Sequence, residues 1–231
     1  PVHSFPTRRS SDLNPYGGPH AQRVLEVARA YNEAQWIADQ GFAVIIADGR
    51  GSPGRGPAWE RTIKSDLATF PLQDQVDALH GIAELWPADI DTDRVGITGW
   101  SFGGYLAALA VLRRPDVFHA AVAGAPVTEW RLYDSAYTER YLGDPVTAAA
   151  NYDATSLLPL APGLQRPLMI IHGFADDNVV VAHSVQLSSA LTAAGCPHTF
   201  LPLANVTHMT PQEEVAENLL KLEVEFFIRN L

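Results

Sequence analysis

The sequence predicts an α/β fold built on a largely parallel sheet. Three observations predict it. Short apolar, β-branched runs alternate with stretches of helical spacing along the chain. The runs are continuously apolar, as expected of strands covered on both faces. One of them, RVGIT at 94–98, leads through Gly-Trp-Ser-Phe-Gly at 99–103 into the small-residue stretch GYLAALAVL, which reads as strand, sharp turn, helix.

The elements follow in order. PVHSFPTRRSSDL at 1–13 has no apolar periodicity and carries a basic patch in an acidic chain. It is similar to the translation of a common sequencing adapter, and the expectation is a foreign leader outside the domain. NPYGGP at 14–19 is a turn-rich loop. Residues 25–41 read as a helix closed by Gly41, with Trp36 and Ile37 on its apolar face, and FAVIIAD at 42–48 reads as a buried strand. GRGSPGRG at 49–56 is a glycine-rich loop without the Lys-Ser/Thr ending of a phosphate-binding loop. In 71–86, Val76, Leu79, Ala83 and Trp86 share one helical face. After the Ser101 turn a helix runs to Arg113 and stops at Pro115. HAAVAGAP at 119–126 is a strand, and 128–151 reads as irregular and aromatic. RPLMIIHG at 166–173 is a strand leading into the loop FADDNV, and 182–195 is a helix ending at Gly195. PHTFLPL at 197–203 is the last strand, and the final helix starts near Pro211 with Glu213 and Glu214 in its first turn.

Bulk properties narrow the function. The chain has 231 residues, 47% hydrophobic and 18% charged, which suits one domain with a sizeable core. Its formal net charge of −10 argues against a nucleic-acid partner, since gripping phosphate needs a basic face. Cys196 is the single cysteine, so no internal disulfide forms, and it reads as a packed thiol. No apolar run approaches the roughly 18 residues of a membrane span.

The chemistry centres on Ser101. A hydroxyl is a weak nucleophile at neutral pH and needs a base, which in turn needs an orienting acid. In α/β hydrolases these groups come in the chain order Ser, Asp or Glu, His, each just past a strand. Ser101 follows the strand ending near Thr98, Asp176 and Asp177 follow the strand ending near His172, and His208 follows the strand ending near Leu203. His172 also ends a strand, but it lies upstream of the acid and breaks that order.

GWSFGGY, HGFADDNV and YGGP together resemble the catalytic domain of the prolyl oligopeptidase family, and APVTEWRLYDSAYTERYLG is similar to its dipeptidyl peptidase IV branch. The resemblance covers Asn14 to the C-terminus. It implies an α/β-hydrolase fold lacking its first strands, with Ser101 as nucleophile, Asp176 as triad acid, Asp177 as a structural neighbour and His208 as base. It implies an oxyanion hole made by the Phe102 backbone N–H and the Tyr16 hydroxyl; losing one such donor typically costs about 3–4 kcal/mol. Asn178 matches the residue that holds a substrate carbonyl. Val127, Trp130, Tyr133, Tyr137 and Val179 match the apolar pocket for the residue before the scissile bond, and a ring-lined slot suits proline. The competing reading makes these aromatics core packing.

The implied activity is a serine peptidase that releases N-terminal dipeptides after Pro or Ala. The rivals are an oligopeptidase or acylaminoacyl peptidase of the same family, a carboxylesterase, and an inactive partner-binding domain. The implied partner is a peptide substrate, with no metal and no cofactor; the resemblance also allows a homodimer. Relatives carry an N-terminal β-propeller whose glutamates clamp the substrate's amino terminus, and nothing in this chain matches it. His80, His119, His183 and His198 lack metal-ligand spacing and read as surface or loop residues. Arg140 and Asp134 are expected to fix the aromatic segment by ion pairing. The strand preceding the Tyr16 loop should lie inside the sheet, between the strands at 42–48 and 95–98. Only VHSF, among the leader residues, has strand character for that slot. An empty slot would expose unpaired edges, so the expectation is a poorly stable chain.

Overall fold

The computed structural model describes residues 9–231. One sheet of six parallel strands runs through it: β1 (Arg9–Leu13), β2 (Ala43–Ile45), β3 (Ile90–Trp100), β4 (Ala120–Gly124), β5 (Leu168–Gly173) and β6 (Thr199–Leu203), in the spatial order β2-β1-β3-β4-β5-β6. Between them lie α1 (Asn32–Asp39), α2 (Pro57–Glu60), α3 (Thr69–Leu85), α4 (Phe102–Arg113), α5 (Ser135–Leu142), α6 (Ala149–Thr155), α7 (Ala182–Ala193) and the terminal α8 (Glu213–Asn230).

Helices cover both faces, which is why the strands read as continuous apolar runs. Leu13, Val95, Ile97, Ala121, Ala123, Leu168 and Ile170 project into the larger core, beneath α3, α4 and α7. Ala120, Val122, Met169 and Ile171 project to the other face, where Ile37 of α1 and Leu219, Val224 and Phe227 of α8 close a smaller core. Successive strand residues alternate between these faces with period two. α4 is buried along nearly its whole length, so its small side chains are a packing requirement.

The sheet slot is not empty. β1, the last five residues of the leader, lies between β2 and β3 and pairs in parallel with both, with a register shift between Ser10 and Ser11. The sequence reading set residues 1–13 apart and gave strand character only to VHSF, which lies outside the described residues. Backbone N–H and C=O groups drive this pairing and do not depend on the side chain. The side chains fit less well: the Ser11 hydroxyl and both Asp12 oxygens are buried without a hydrogen-bond partner among the described residues. Burial, then the nearby Glu223 and Glu33 carboxylates, push the Asp12 carboxyl well above its ordinary range.

Several boundaries differ from expectation. The helix at 25–41 resolves into a 3-10 turn at Ala28–Tyr31 followed by α1, and the strand at 42–48 shortens to β2. The segment 128–151 is not irregular: it holds a 3-10 turn at Trp130–Leu132, α5 and the start of α6. Tyr133, Tyr137 and Tyr141 are spaced by four, the spacing of one helical face, and that periodicity was the available signal. Trp86 stands 53% exposed instead of joining Val76 and Leu79 in the core.

Candidate active site

Loops at the carboxyl edge of the sheet carry the site residues. Tyr16 follows β1, Ser101 follows β3, Asp176 follows β5 and His208 follows β6. The chain winds outward in opposite directions from β1 and β3, and a crevice at such a reversal is where open α/β sheets bind ligands.

Ser101 is the single residue between β3 and α4, with φ 60° and ψ −116°. That backbone is strained for a residue with a Cβ, by about 1–3 kcal/mol. Its N–H donates to Gly124 O at 2.9 Å, and its carbonyl accepts from Tyr105 N–H at 2.9 Å, so both neighbouring elements hold the turn. The flanking glycines are demanded by close approach. A Cβ on Gly99 would sit 2.5 Å from the Gly103 backbone, and one on Gly103 would sit 2.4 Å from Pro15 O. Phe102 opens α4, so its N–H has no acceptor within the helix. The Tyr16 ring packs on the Phe102 ring at 6.0 Å. Burial, then the neighbouring Tyr133 and Tyr141, push the Tyr16 hydroxyl up to about 12, which keeps it a proton donor at neutral pH.

Asp176 is buried and saturated with donors. Its Oδ1 accepts from the Asn178 and Val179 N–H groups, each at 2.9 Å. Its Oδ2 accepts from His208 Nδ1–H at 2.8 Å, with His172 Nε2 at 3.4 Å. Burial works to raise this carboxyl, but the hydrogen bonds from His172 and His208, together with the His208 charge, hold it well below the usual carboxylate range. The bond to His208 fixes the ring so that Nε2 is the nitrogen left for proton transfer. Asp177 is exposed. Among the described residues no hydrogen bond joins His208 to Ser101. The link runs through the residue before the serine: Trp100 Nε1–H donates to His208 O at 2.7 Å. In free enzymes the nucleophile–base contact is often long and tightens on substrate binding.

The aromatic residues come together beside this pair. Trp130 stacks on Tyr137 at 6.1 Å and 9°, and Tyr133 meets Tyr137 edge-on at 5.3 Å. Val127, Trp130 and Val179 are buried, while Tyr133 and Tyr137 are half-buried. Trp130 also touches Phe102 and Tyr105, so it belongs to the core as well as to this cluster. The Tyr133 hydroxyl donates to Asn178 Oδ1 at 2.9 Å. That bond leaves the Asn178 NH2 group free to donate to a carbonyl.

Two expectations change. His183 is not a surface residue: it is fully buried on α7, and its Nδ1 accepts from Thr128 N–H at 3.1 Å. Burial, then the neighbouring His172, lower it to about 4. Asp134 holds the aromatic segment as the N-cap of α5, accepting from Tyr137 N–H at 2.8 Å, while Arg140 lies over the Tyr141 ring. Ion pairing between Asp134 and Arg140 plays no part. Sequence reasoning missed Trp100 as the anchor of the His208 loop, and motif spacing carries no signal for it. Among the described residues no group of His, Cys, Asp and Glu is arranged to hold a metal, and no helix is long and apolar enough to cross a membrane.

The model of the prolyl oligopeptidase family matches residues 28–231. The chain belongs to that family. Mouse and human dipeptidyl peptidase 8 are each 41% identical to it over 188 residues, covering 79% of this chain and 21% of theirs. Pig dipeptidyl peptidase 4 is 37% identical over 184 residues, covering 78% of this chain and 24% of its own. The crystal structure of Porphyromonas gingivalis dipeptidyl peptidase 4 superposes with a TM-score of 0.91 at 33% identity, over 100% of this chain and 33% of that one. The chain therefore spans between about a fifth and a third of the length of these family members. The family and this superposition, with the all-parallel helix-covered sheet, identify the fold as that of the α/β hydrolases.

Proposed function

We propose that this chain is the catalytic part of a serine peptidase that releases dipeptides from peptide N-termini, preferentially after Pro or Ala. The observation that carries the reading is the Asp176–His208 hydrogen bond at 2.8 Å beside a serine held at positive φ. In the proposed reaction the Ser101 hydroxyl attacks the peptide carbonyl and passes its proton to His208 Nε2. The oxyanion takes hydrogen bonds from the Phe102 N–H and the Tyr16 hydroxyl. The imidazolium protonates the departing amine, which leaves an acyl-enzyme. His208 then draws a proton from water, the hydroxide attacks the ester carbonyl, and the dipeptide acid departs as Ser101 recovers its proton.

The specificity half of the proposal rests on Tyr133 and Tyr137 beside Asn178. Flat ring walls take a pyrrolidine without leaving an N–H unpaired, and the free Asn178 amide would hold the carbonyl of the preceding residue. Counting two residues from the amino terminus needs acidic groups that grip an ammonium. In this proposal an upstream β-propeller supplies them.

The test uses the chain extended upstream to the length of its relatives. Gly-Pro, Ala-Ala and N-blocked Gly-Pro amides are assayed beside a Ser101→Ala control. Cleavage of the free Gly-Pro amide alone, lost in the control, is the expected result. Equal cleavage of the blocked substrate overturns the exopeptidase reading, and ester hydrolysis without amide cleavage overturns the peptidase reading.

A further inference from the structure

His172 ends β5 and is excluded as the base by its place in the chain, yet it is one of the most constrained side chains in the molecule. It is fully buried. Its Nε2 lies 2.7 Å from Val179 O, and a carbonyl only accepts, so Nε2 carries a proton. The same Nε2–H lies 3.4 Å from Asp176 Oδ2, the oxygen that receives His208 Nδ1–H. On the far side of the ring, Nδ1 meets the Ser184 hydroxyl at 2.6 Å. A single imidazole thus joins the end of β5, the loop that carries Asp176, Asn178 and Val179, and the first turn of α7.

We propose that His172 is a positioning residue for the triad acid, with its Nε2–H shared between Val179 O and Asp176 Oδ2 and its ring held in that orientation by Ser184. This rests on the reading of Asp176 as triad acid given above. The consequence is electrostatic as well as geometric. A carboxylate oxygen that accepts from two donors offers less of its charge to each. Removing the His172 donor concentrates that charge on His208 and makes the base hold its proton to higher pH. The other titratable groups facing Asp176 are His208 from the β6–α8 loop, His183 from α7 and Tyr133 from the β4–α5 loop. His183 is held largely neutral by burial, and the Tyr133 phenol is raised by burial. Neither changes charge between pH 5 and 8.

The readout is the rate of Ser101 labelling by a fluorophosphonate against pH, with the His208 ring followed by NMR titration in the same samples. Three variants are compared with the parent chain. His172→Leu removes the donor at similar volume and is expected to move the acid limb up by about half a pH unit or more. His172→Gln reaches the same position with an N–H and is expected to restore the parental limb. Ser184→Ala frees the ring to reorient and is expected to move the limb in the same direction by less. An unmoved limb and unmoved His208 titration in His172→Leu overturn the proposal. So do equal shifts in the Leu and Gln variants, because a purely structural role does not distinguish them. If His172→Leu fails to fold, Ser184→Ala against His172→Gln decides by the same criterion. A parent chain that is not labelled at Ser101 would instead overturn the proposed function, and the His208 titration would still test this inference.

Discussion

β1 and β4 lie on either side of β3, each five residues long, each in parallel register with it, and they are chemical opposites. β4 reads AAVAG and is wholly apolar and wholly buried. Its small residues let α4 approach so closely that a Cβ on Gly104 would meet Gly124 O at 2.2 Å. β1 reads RSSDL and carries a hydroxyl and a carboxyl into the two cores without partners among the described residues. The backbone ladder forms in both cases. The difference teaches that a slot in a sheet is claimed by main-chain hydrogen bonding and made stable by side chains, and these are separable.

Introducing valine should therefore have opposite effects in the two strands. Gly124→Val in β4 has the largest expected effect, because its Cβ would sit 2.0 Å from the Trp100 ring. It should cost more than about 3 kcal/mol in urea unfolding and disturb the Ser101 turn with it. Asp12→Val in β1 should stabilise by about 2 kcal/mol, since it removes a buried polar group that lacks partners. An unchanged urea midpoint in that variant would mean β1 is solvated or frayed in solution. The parent chain is expected to melt broadly and early, and a sharp cooperative transition would contradict that.

Acid–base behaviour sharpens the contrast further. Asp12 is raised well above its ordinary range, chiefly by burial, and Glu223 is raised from 4.5 to about 8 by burial and by Glu33. Both groups keep protons in the folded state that the unfolded chain releases. Their contribution is thus full below the ordinary carboxylate range and is lost as pH rises through the raised values. Thermal stability should fall between about pH 4.5 and 8, with part of the slope removed by Asp12→Val and more by adding Glu223→Gln. Asp176, held low, acts in the opposite sense and only at more acidic pH. The smallest effect on stability is expected for Tyr16→Phe, within about 0.5 kcal/mol. Under the proposed function it should nonetheless slow fluorophosphonate labelling of Ser101 by about 100-fold, the loss typical of one oxyanion donor.

The parts of the molecule that were legible in the sequence share a physical cause. The Ser101 turn was readable because its glycines answer a steric demand that only glycine meets, and the strands after it because burial on both faces forces apolar runs. The proximity of Asp176 and His208 was readable from the order of the two residues after strands. β1 was not, because its residues have no strand character and only the ladder recruits them. His183 was not, because a lone histidine on a helix shows nothing in sequence of what packs against it. α5 was written in the spacing of its tyrosines but masked by the aromatic bulk around it. The Trp100 bond to the His208 loop belongs to tertiary geometry alone.

The distribution of the site over four strand ends has a kinetic consequence. Ser101, Asp176 and His208 hang from β3, β5 and β6, but Tyr16 hangs from β1, whose buried polar side chains work against it. Partial opening of that end of the sheet would swing away the Tyr16 hydroxyl, the oxyanion donor of the proposed mechanism, while the other three groups kept their places. Such sub-global fluctuations lie well below the free energy of complete unfolding. If the proposed function holds, turnover should decay on warming ahead of helical circular dichroism, while the fold is still largely whole.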